Sequence, residues 1–369
     1  MRVRTVFFLL IISGFMGSCV RNDDTPLVKA YFSEDYISEH KGRYVIEVPK
    51  VYELAHVVMA VKFQRQRSDY FIEKRTSYFQ EVLDYFNDYN SSRIFSNYSY
   101  SESDYIENYA FRDNSYAYKM VNEEISLKET YTSISQYDIF KDFLDDVQAF
   151  SYESNFNDFY TAHAGFYENQ IALYDAIIPV QDMWDWLENQ FSARYDCYKI
   201  IISPLTGGSH STRRFKTDTY KETLMFVPAL NPEIHSMDTL NIAYNIRHVF
   251  TEIDHNYVNP VTEEFRDELK KAMGDLNNWK DEKPSNTVYS SHYMVFNEYM
   301  TWAVYDIYIS ERYPEHIASQ IREITISKME GDRGFIRFRS FEDSLIQIYT
   351  NKSPGENIED LYPEILKAI

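Results

Sequence analysis

The spacing of apolar residues predicts that the first half of the chain is mainly helical. Apolar positions recur every three or four residues in 51–66 and 77–89, and helical candidates continue in 106–120 and 139–150. This spacing is typical of helices that bury one face. Before them, GRYVIEVPK (42–50) alternates between apolar and polar residues, which predicts a strand.

The pattern changes in the second half of the chain. A helical stretch at 161–191 has a break near Pro179, and then come two short runs rich in β-branched residues, YKIIISPL (198–205) and TLMFVPAL (223–230). Such runs predict strands, which either form a hairpin or lie side by side. Gly207-Gly208 between them predicts a turn with positive φ.

Two further helices are predicted at 238–257 and 292–310, with a polar, charged connection between them. RGFIRFRSF then predicts a strand or loop, and EDSLIQIYT (342–350) a closing helix. The predicted fold class is therefore α+β and predominantly helical, with a small sheet or hairpin before the helix at 238–257.

The N-terminus has the features of an export signal. Arg2 and Arg4 precede an apolar run at 6–15, which is too short for a bilayer because a spanning helix needs about 20 residues. The run is typical of a signal peptide. Its ending, MGSC, resembles a bacterial lipobox, in which Cys19 would be acylated. The simpler alternative is a secreted protein with an unmodified cysteine at this position.

The composition and net charge of the chain limit the kinds of partner that it can bind. The chain has 57 acidic residues against 37 Lys and Arg, and a formal net charge of −20. This charge excludes nucleic acid as a partner, because no basic stripe is present to release counterions from phosphates. It also disfavours electrostatic docking on an anionic membrane. The 33 Tyr and 25 Phe either pack in the core or line a glycan- or peptide-binding face.

The helix at 238–257 contains TEIDH, which differs by one residue from the zinc-protease pattern HExxH. In HExxH, two histidines one turn apart bind zinc, and the glutamate polarises the zinc-bound water as general base. Glu252 stands at the base position and His255 at the second ligand position, but Thr251 stands at the first. Downstream, Glu298 in NEYMTWA resembles the third ligand of gluzincin-type zinc proteases.

Five segments of the chain resemble, in order, an uncharacterised family of exported bacterial proteins known as domain of unknown function 4932. The likeness covers about residues 45–365 and is carried by PKVYELAHVVMAV, FYENQIALYDAI, IISPLTGGSH, HNYVNP and RGFIRFRSFEDSLIQIY. It implies a gluzincin-like fold with a peptidase ancestry, in which Glu252 is the base and His255 and Glu298 are metal ligands. The chain departs from the family pattern at Thr251, a degenerate ligand position.

A site with two of its three ligands is expected to bind zinc weakly or not at all, since even the loss of a supporting contact costs 10- to 100-fold in affinity. His248 lies about 10.5 Å from His255 along the helix axis, so both cannot bind one ion. His210 in the GGSH turn, together with His292 and Tyr293, are candidate contacts to a substrate.

The resemblance and the N-terminal signal together predict an exported lipoprotein, anchored to the outer membrane through Cys19. The acidic pair Asp23-Asp24 resembles the export tag of some surface lipoproteins, which favours the cell surface. The predicted organisation is a lipoprotein signal peptide at 1–18, a tether at 19–42, a mainly helical region at 43–165 and a zincin-like region at 166–369.

Three functions remain open from the sequence. The first is a degenerate, inactive metallopeptidase-like domain that binds a peptide or protein. The second is an active zinc peptidase with an altered ligand set, in which a residue from elsewhere joins His255 and Glu298. The third is a tethered module that binds a glycan or protein and has no metal site.

Overall fold

The computed structural model describes residues 30–135, 137–283, 286 and 289–369. Its strands are β1 (Arg43–Glu47), β2 (Tyr118–Val121), β3 (Glu124–Leu127), β4 (Cys197–Ser203), β5 (Ser211–Lys216) and β6 (Lys221–Pro228). Its helices up to the third strand are α1 (Glu34–His40), α2 (Lys50–Phe63), α3 (Ser77–Phe86), α4 (Arg93–Asn97) and α5 (Tyr105–Asn114). Between β3 and β4 lie α6 (Ile139–Asp142), α7 (Leu144–Glu153), α8 (Phe156–Ala162), α9 (Ala164–Ile177) and α10 (Val180–Gln190). After β6 follow α11 (Thr239–Glu264), α12 (Arg266–Met273), α13 (His292–Arg312), α14 (Glu315–Ile326), α15 (Phe338–Thr350) and α16 (Tyr362–Ala368).

Four strands form a mixed sheet in the order β1, β4, β6, β5. β1 pairs in parallel with β4, and β4 pairs in parallel with β6, whereas β5 runs antiparallel to β6 at one edge. Every residue of β4 is buried, as expected for a parallel strand that is covered on both faces. The sheet therefore joins β1, from the first part of the chain, to the three strands that precede α11.

The predicted strands at 198–205 and 223–230 correspond to β4 and β6, and of the two predicted arrangements the side-by-side one is confirmed. The hairpin is wrong for this pair, because the two strands are parallel and β5 lies between them in sequence. The turn with positive φ is also wrong, since neither Gly207 nor Gly208 is among the residues with positive φ. Gly207 instead packs against the backbone of Asp69 and Tyr70, where a Cβ atom would have no space.

The prediction of an α+β, predominantly helical protein is confirmed. α2 is buried along nearly its whole length, including the polar residues Glu53 and His56, so it buries more than the single apolar face that its sequence predicts. Near Pro179 the chain breaks as predicted, and α10 begins at the next residue. The hairpin of β2 and β3 was not predicted, and its two turn residues, Asn122 and Glu123, both have positive φ.

α11 and α13 are the two long helices that the sequence predicted at 238–257 and 292–310. The Asp238 side chain accepts a hydrogen bond from the Asn241 amide at the start of α11, and Ser291 caps α13 in the same way. α11 packs against both α13 and β6. Both helices are buried over most of their length, so the residues that they bring together lie inside the protein.

The N-terminal predictions fall partly outside the described residues, because these begin at Ala30. The signal peptide and Cys19 lie outside them. Within the segment predicted as a tether, α1 forms and Phe32 is buried in the core. Among the described residues, none of the helices combines the length and the apolar character that crossing a bilayer would require.

Candidate functional site

The TEIDH segment lies in the middle of α11, with its side chains in the protein interior. Thr251 is 3% exposed, Glu252 is fully buried and His255 is 3% exposed. The Thr251 hydroxyl donates a hydrogen bond to the carbonyl oxygen of Arg247, one turn earlier, at 2.9 Å. Thr251 thus makes a backbone contact within its own helix, a common arrangement for a threonine in a helix.

Glu252 is paired with a histidine from outside the helix. The His210 Nδ1 atom lies 2.5 Å from Glu252 Oε1, and both side chains are buried. His210 directly precedes β5, and the backbone of its neighbour Ser209 is held by the carbonyl of Tyr70. A candidate substrate contact is therefore joined to the candidate general base by a short hydrogen bond.

His255 and Glu298, the two predicted ligands, are brought together where α11 packs on α13. His255 Nε2 lies 3.7 Å from Glu298 Oε1, while the other ring nitrogen, Nδ1, lies 3.2 Å from Asn259 Oδ1. Asn259 is one turn along the same helix, so it fixes the orientation of the imidazole ring.

Arg333 is a further member of this cluster that the sequence did not indicate. Its Nη2 atom donates to Glu298 Oε2 at 2.7 Å and to the Tyr289 hydroxyl at 2.6 Å. Arg333 follows a π-helical turn, Ser327–Asp332, and precedes Gly334, whose φ is 73°. That turn brings a guanidinium next to a buried carboxylate. In the sequence, the Arg-Gly pair could have indicated a change of backbone direction at Arg333, but not its contact with Glu298.

These residues do not fit a zinc site of the usual kind. Catalytic zinc sites have three protein ligands, but the described residues contain no group of three His, Cys, Asp or Glu side chains placed to hold a metal. Thr251 offers a neutral hydroxyl at the first ligand position. One oxygen of Glu298 also accepts from Arg333, so a fixed positive charge already neighbours the carboxylate.

His292 and Tyr293, the other candidate contacts, begin α13. His292 Nε2 lies 2.8 Å from the Gly274 carbonyl oxygen, after α12. The Tyr293 hydroxyl donates to the Asn259 carbonyl oxygen at 3.3 Å. His292 thus contacts the loop after α12, whereas Tyr293 reaches the turn of α11 that follows His255.

A pocket of about 140 Å³ opens beside the first half of α11, one turn before Thr251. We call it the basic pocket, and the residues of its wall that matter below are His210, Tyr244, Arg247, His248, Trp302 and Lys328. His210 links the pocket to the candidate base, because its ring lies 5.5 Å from the His248 ring on one side and its Nδ1 contacts Glu252 on the other.

The model of one protein family matches most of the chain. The family is described as a domain of unknown function (DUF4932), and the match covers residues 121–368. Neither the curated proteins nor the solved structures include a significant match to the chain. The matched range contains β4 to β6, α11 and α13, and therefore all the residues of the candidate site.

Proposed function

The chain belongs to the DUF4932 family, and we propose that it is a degenerate, inactive metallopeptidase-like protein that binds a peptide or another protein. One observation carries this proposal: both carboxylates of the candidate site are held by cationic or cation-forming side chains of the protein itself. Glu252 pairs with His210 and Glu298 pairs with Arg333. The gluzincin ancestry rests on the sequence resemblance.

The pairing of Glu298 is the stronger argument. A buried carboxylate is costly unless an opposite charge compensates it. In a zinc site the metal supplies that charge, whereas here the Arg333 guanidinium lies at hydrogen-bonding distance. A permanently charged arginine so close to the carboxylate also repels a divalent cation.

The pairing of Glu252 argues in the same direction. A general base has to direct its carboxylate at the proton that it removes. Here Oε1 of Glu252 lies 2.5 Å from His210 Nδ1 in the interior. Since Thr251 replaces the first ligand one residue earlier, the base would lack a metal-bound water to activate.

Binding of an extended peptide is supported by the position of β5. This strand forms the edge of the sheet and runs antiparallel to β6, and an extended peptide can add itself to such an edge. Asp113 contacts Ser211 and Arg213 at the start of β5, so the later residues, 214–216, would be the part open to a partner.

The proposed location is the outer membrane, with the lipid anchor at Cys19 and the protein on the cell surface. The lipobox-like MGSC ending and the Asp23-Asp24 pair support it. Replacement of Cys19 by serine should move the protein from the membrane fraction to the soluble fraction and abolish incorporation of labelled fatty acid. Retention of the label would contradict acylation at this residue.

The alternative function is an active zinc peptidase with an altered ligand set. It is favoured by the distance of 3.7 Å between His255 Nε2 and Glu298 Oε1, which places the two candidate zinc ligands next to each other. A working site would then need a third ligand, and Arg333 would have to leave Glu298 when the metal binds.

Zinc binding separates these functions. We would measure zinc content and affinity for the protein from residue 20 onward, beside its Thr251→His variant and a Thr251→Ala control. The proposal predicts that only the histidine variant binds one zinc tightly, and more tightly still when Arg333→Met is added. Tight binding by the unaltered protein would overturn the proposal in favour of the active peptidase. Binding by none of them would remove the metal ancestry and favour the tethered glycan- or protein-binding module.

A further inference from the structure

The basic pocket concentrates positive charge in a protein whose formal net charge is −20. Besides its six defining residues, its wall includes Arg75, His235 and Arg333 as basic groups and Glu73 as the acidic one. Two of the arginines have carboxylate partners, since Arg75 pairs with Glu73 and Arg333 pairs with Glu298. The remaining cations, Arg247 and Lys328, have no carboxylate within ion-pairing distance in the part of the chain that the structure describes.

Arg247 is the more unusual of the two, because it is only 4% exposed. Its guanidinium lies over the rings of Trp302, at 4.4 Å, and Tyr244, at 5.1 Å. Its Nη2 atom lies 2.9 Å from His248 Nε2, while its Nε has no hydrogen-bond acceptor among the described residues. Ring contacts compensate an arginine only in part, so this wall residue of the pocket keeps a buried donor without an acceptor.

Lys328 approaches the pocket from the π-helical turn and is 8% exposed. Its Nζ donates to the Tyr244 hydroxyl at 3.3 Å. Short π-helical turns are found mostly at functional sites, and here the turn carries an ammonium group into the interior. Asp332 acts on Lys328 only as a weaker, more distant charge, the last of the causes that shift the lysine pKa. Burial of two neighbouring cations without a paired carboxylate is unfavourable, and a bound anion would remove much of that cost.

The ionisable groups around the pocket report the same positive field. Burial, and then Arg247, lower the pKa of Lys328. Burial, followed by Arg247 and His210, holds the pKa of His248 well below its usual range. Burial alone would raise the pKa of Tyr244, but Arg247 and Lys328 lower it on balance. Each neighbour thus responds as it would to an excess of positive charge.

We propose that the basic pocket binds an oxyanion, a carboxylate or phosphate group of a small molecule or chain end, between Arg247 and Lys328. Arginine matches the planar geometry of such groups, and both donors are shielded from water. The residues that line the pocket also include Pro204, Leu230 and Ile234, so a short apolar group next to the oxyanion would also be buried. The pocket adjoins the candidate site through His210 and Arg333, but the binding of an oxyanion there requires neither zinc nor the edge of β5.

Three probes, of which the last two are matched in size, test the site on the protein from residue 20 onward, which contains every described residue. They are inorganic phosphate, N-acetyl-leucine and its uncharged analogue N-acetyl-leucinamide. Binding is followed by the fluorescence of Trp302, with a Trp302→Phe variant to assign the signal among the four tryptophans, and independently by calorimetry. Preference for phosphate or for the carboxylate identifies which oxyanion the site takes.

At least one oxyanion should bind with a Kd in the millimolar range or below, and added salt should weaken binding. Arg247→Gln and Lys328→Gln should each weaken it about tenfold or more, as expected for a charge-assisted hydrogen bond. The surface control Arg339→Gln should bind as the unaltered protein does. If Arg247→Gln fails to fold, Lys328→Gln alone decides the test. Equal binding of acid and amide, no binding of either oxyanion, or full affinity in a folded Lys328→Gln variant would each overturn the proposal.

Discussion

Replacing Arg333 by methionine tests whether its guanidinium compensates the buried charge of Glu298. The two side chains are 3% and 4% exposed and lie 2.7 Å apart. Methionine has a similar length and apolar stem, so it would retain much of the packing near Trp302 while removing the charge. Glu298 would then be left with the His255 ring, which is charged only when protonated, at the longer distance of 3.7 Å.

The size of the effect follows from the burial of this pair. Removal of one partner from a buried ion pair costs about 3–5 kcal/mol, because an uncompensated charge stays in the interior, whereas neutral replacement of both partners costs far less. We therefore expect Arg333→Met to lower the free energy of unfolding by about 3–5 kcal/mol. Addition of Glu298→Gln should restore much of the loss, which corresponds to a coupling energy of at least about 2 kcal/mol.

Urea denaturation at neutral pH measures these quantities for the unaltered protein, both single variants and the double variant. Arg339→Gln serves as the control, because Arg339 pairs with Glu323 on the surface and its loss should change stability little. Strictly additive effects of the two single substitutions would refute the reasoning. So would an Arg333→Met variant as stable as the control, since Glu298 would then not depend on the guanidinium.

Two further predictions concern buried positions that are not part of the Glu298–Arg333 pair. Burial raises the pKa of the Glu53 carboxyl from 4.5 to about 7. Between these two pH values the unfolded chain therefore binds fewer protons than the folded one. As a result, the free energy of unfolding should fall by about 3 kcal/mol as the pH rises from the lower value to the higher. In urea titrations between pH 5 and 8, the Glu53→Gln variant should not show this fall in the free energy of unfolding. An unchanged dependence of stability on pH in the variant would contradict the prediction. Gly207→Ala should cost about 3 kcal/mol or more, because its Cβ would overlap the Asp69 carbonyl oxygen. The control Gly165→Ala, which has open space around it, should be neutral or stabilising, and equal melting temperatures of the two variants would count against the close approach.

The sequence predicted the elements whose burial follows a simple period or a continuous apolar run. The apolar stripes of α2, α11 and α13 are buried in the core, although these helices also bury polar residues. β4 is an apolar run that lies buried on both faces. β5 was missed because STRRFK contains three basic residues and lacks an apolar run. The positive charge of Arg213, the third residue of β5, is compensated by Asp113 from α5. Such tertiary compensation has no signal in local sequence.

The β2–β3 hairpin was missed for a different reason. Its turn residues, Asn122 and Glu123, adopt positive φ without a glycine, and glutamate is uncommon in that conformation. The Gly207-Gly208 pair misled in the opposite direction. Glycine was needed there for a close approach to the 69–70 backbone rather than for a turn, and sequence alone does not separate these two uses.

The part of the candidate site that follows from the spacing of sequence motifs could be predicted. Spacing indicated Glu252, His255 and Glu298, and the last two do meet across α11 and α13. It could not indicate Arg333, which comes from the segment after α14, nor the pairing of His210 with Glu252. These contacts depend on how distant segments pack, and they alter the chemistry of the residues that the motif contributes.

Under the proposed metallopeptidase ancestry, the arrangement around Glu298 would explain how a metal site is lost without loss of the fold. A buried glutamate that has lost its metal would destabilise the protein, and selection for stability would favour a new positive charge near it. Arg333 has the required position, because the π-helical turn and Gly334 bring its guanidinium to Glu298. On that proposal, compensation of this kind would also make the loss hard to reverse, because a zinc ion would have to displace an arginine from its carboxylate. A histidine at position 251 should therefore restore tight zinc binding more completely when Arg333 is neutralised than when it is present.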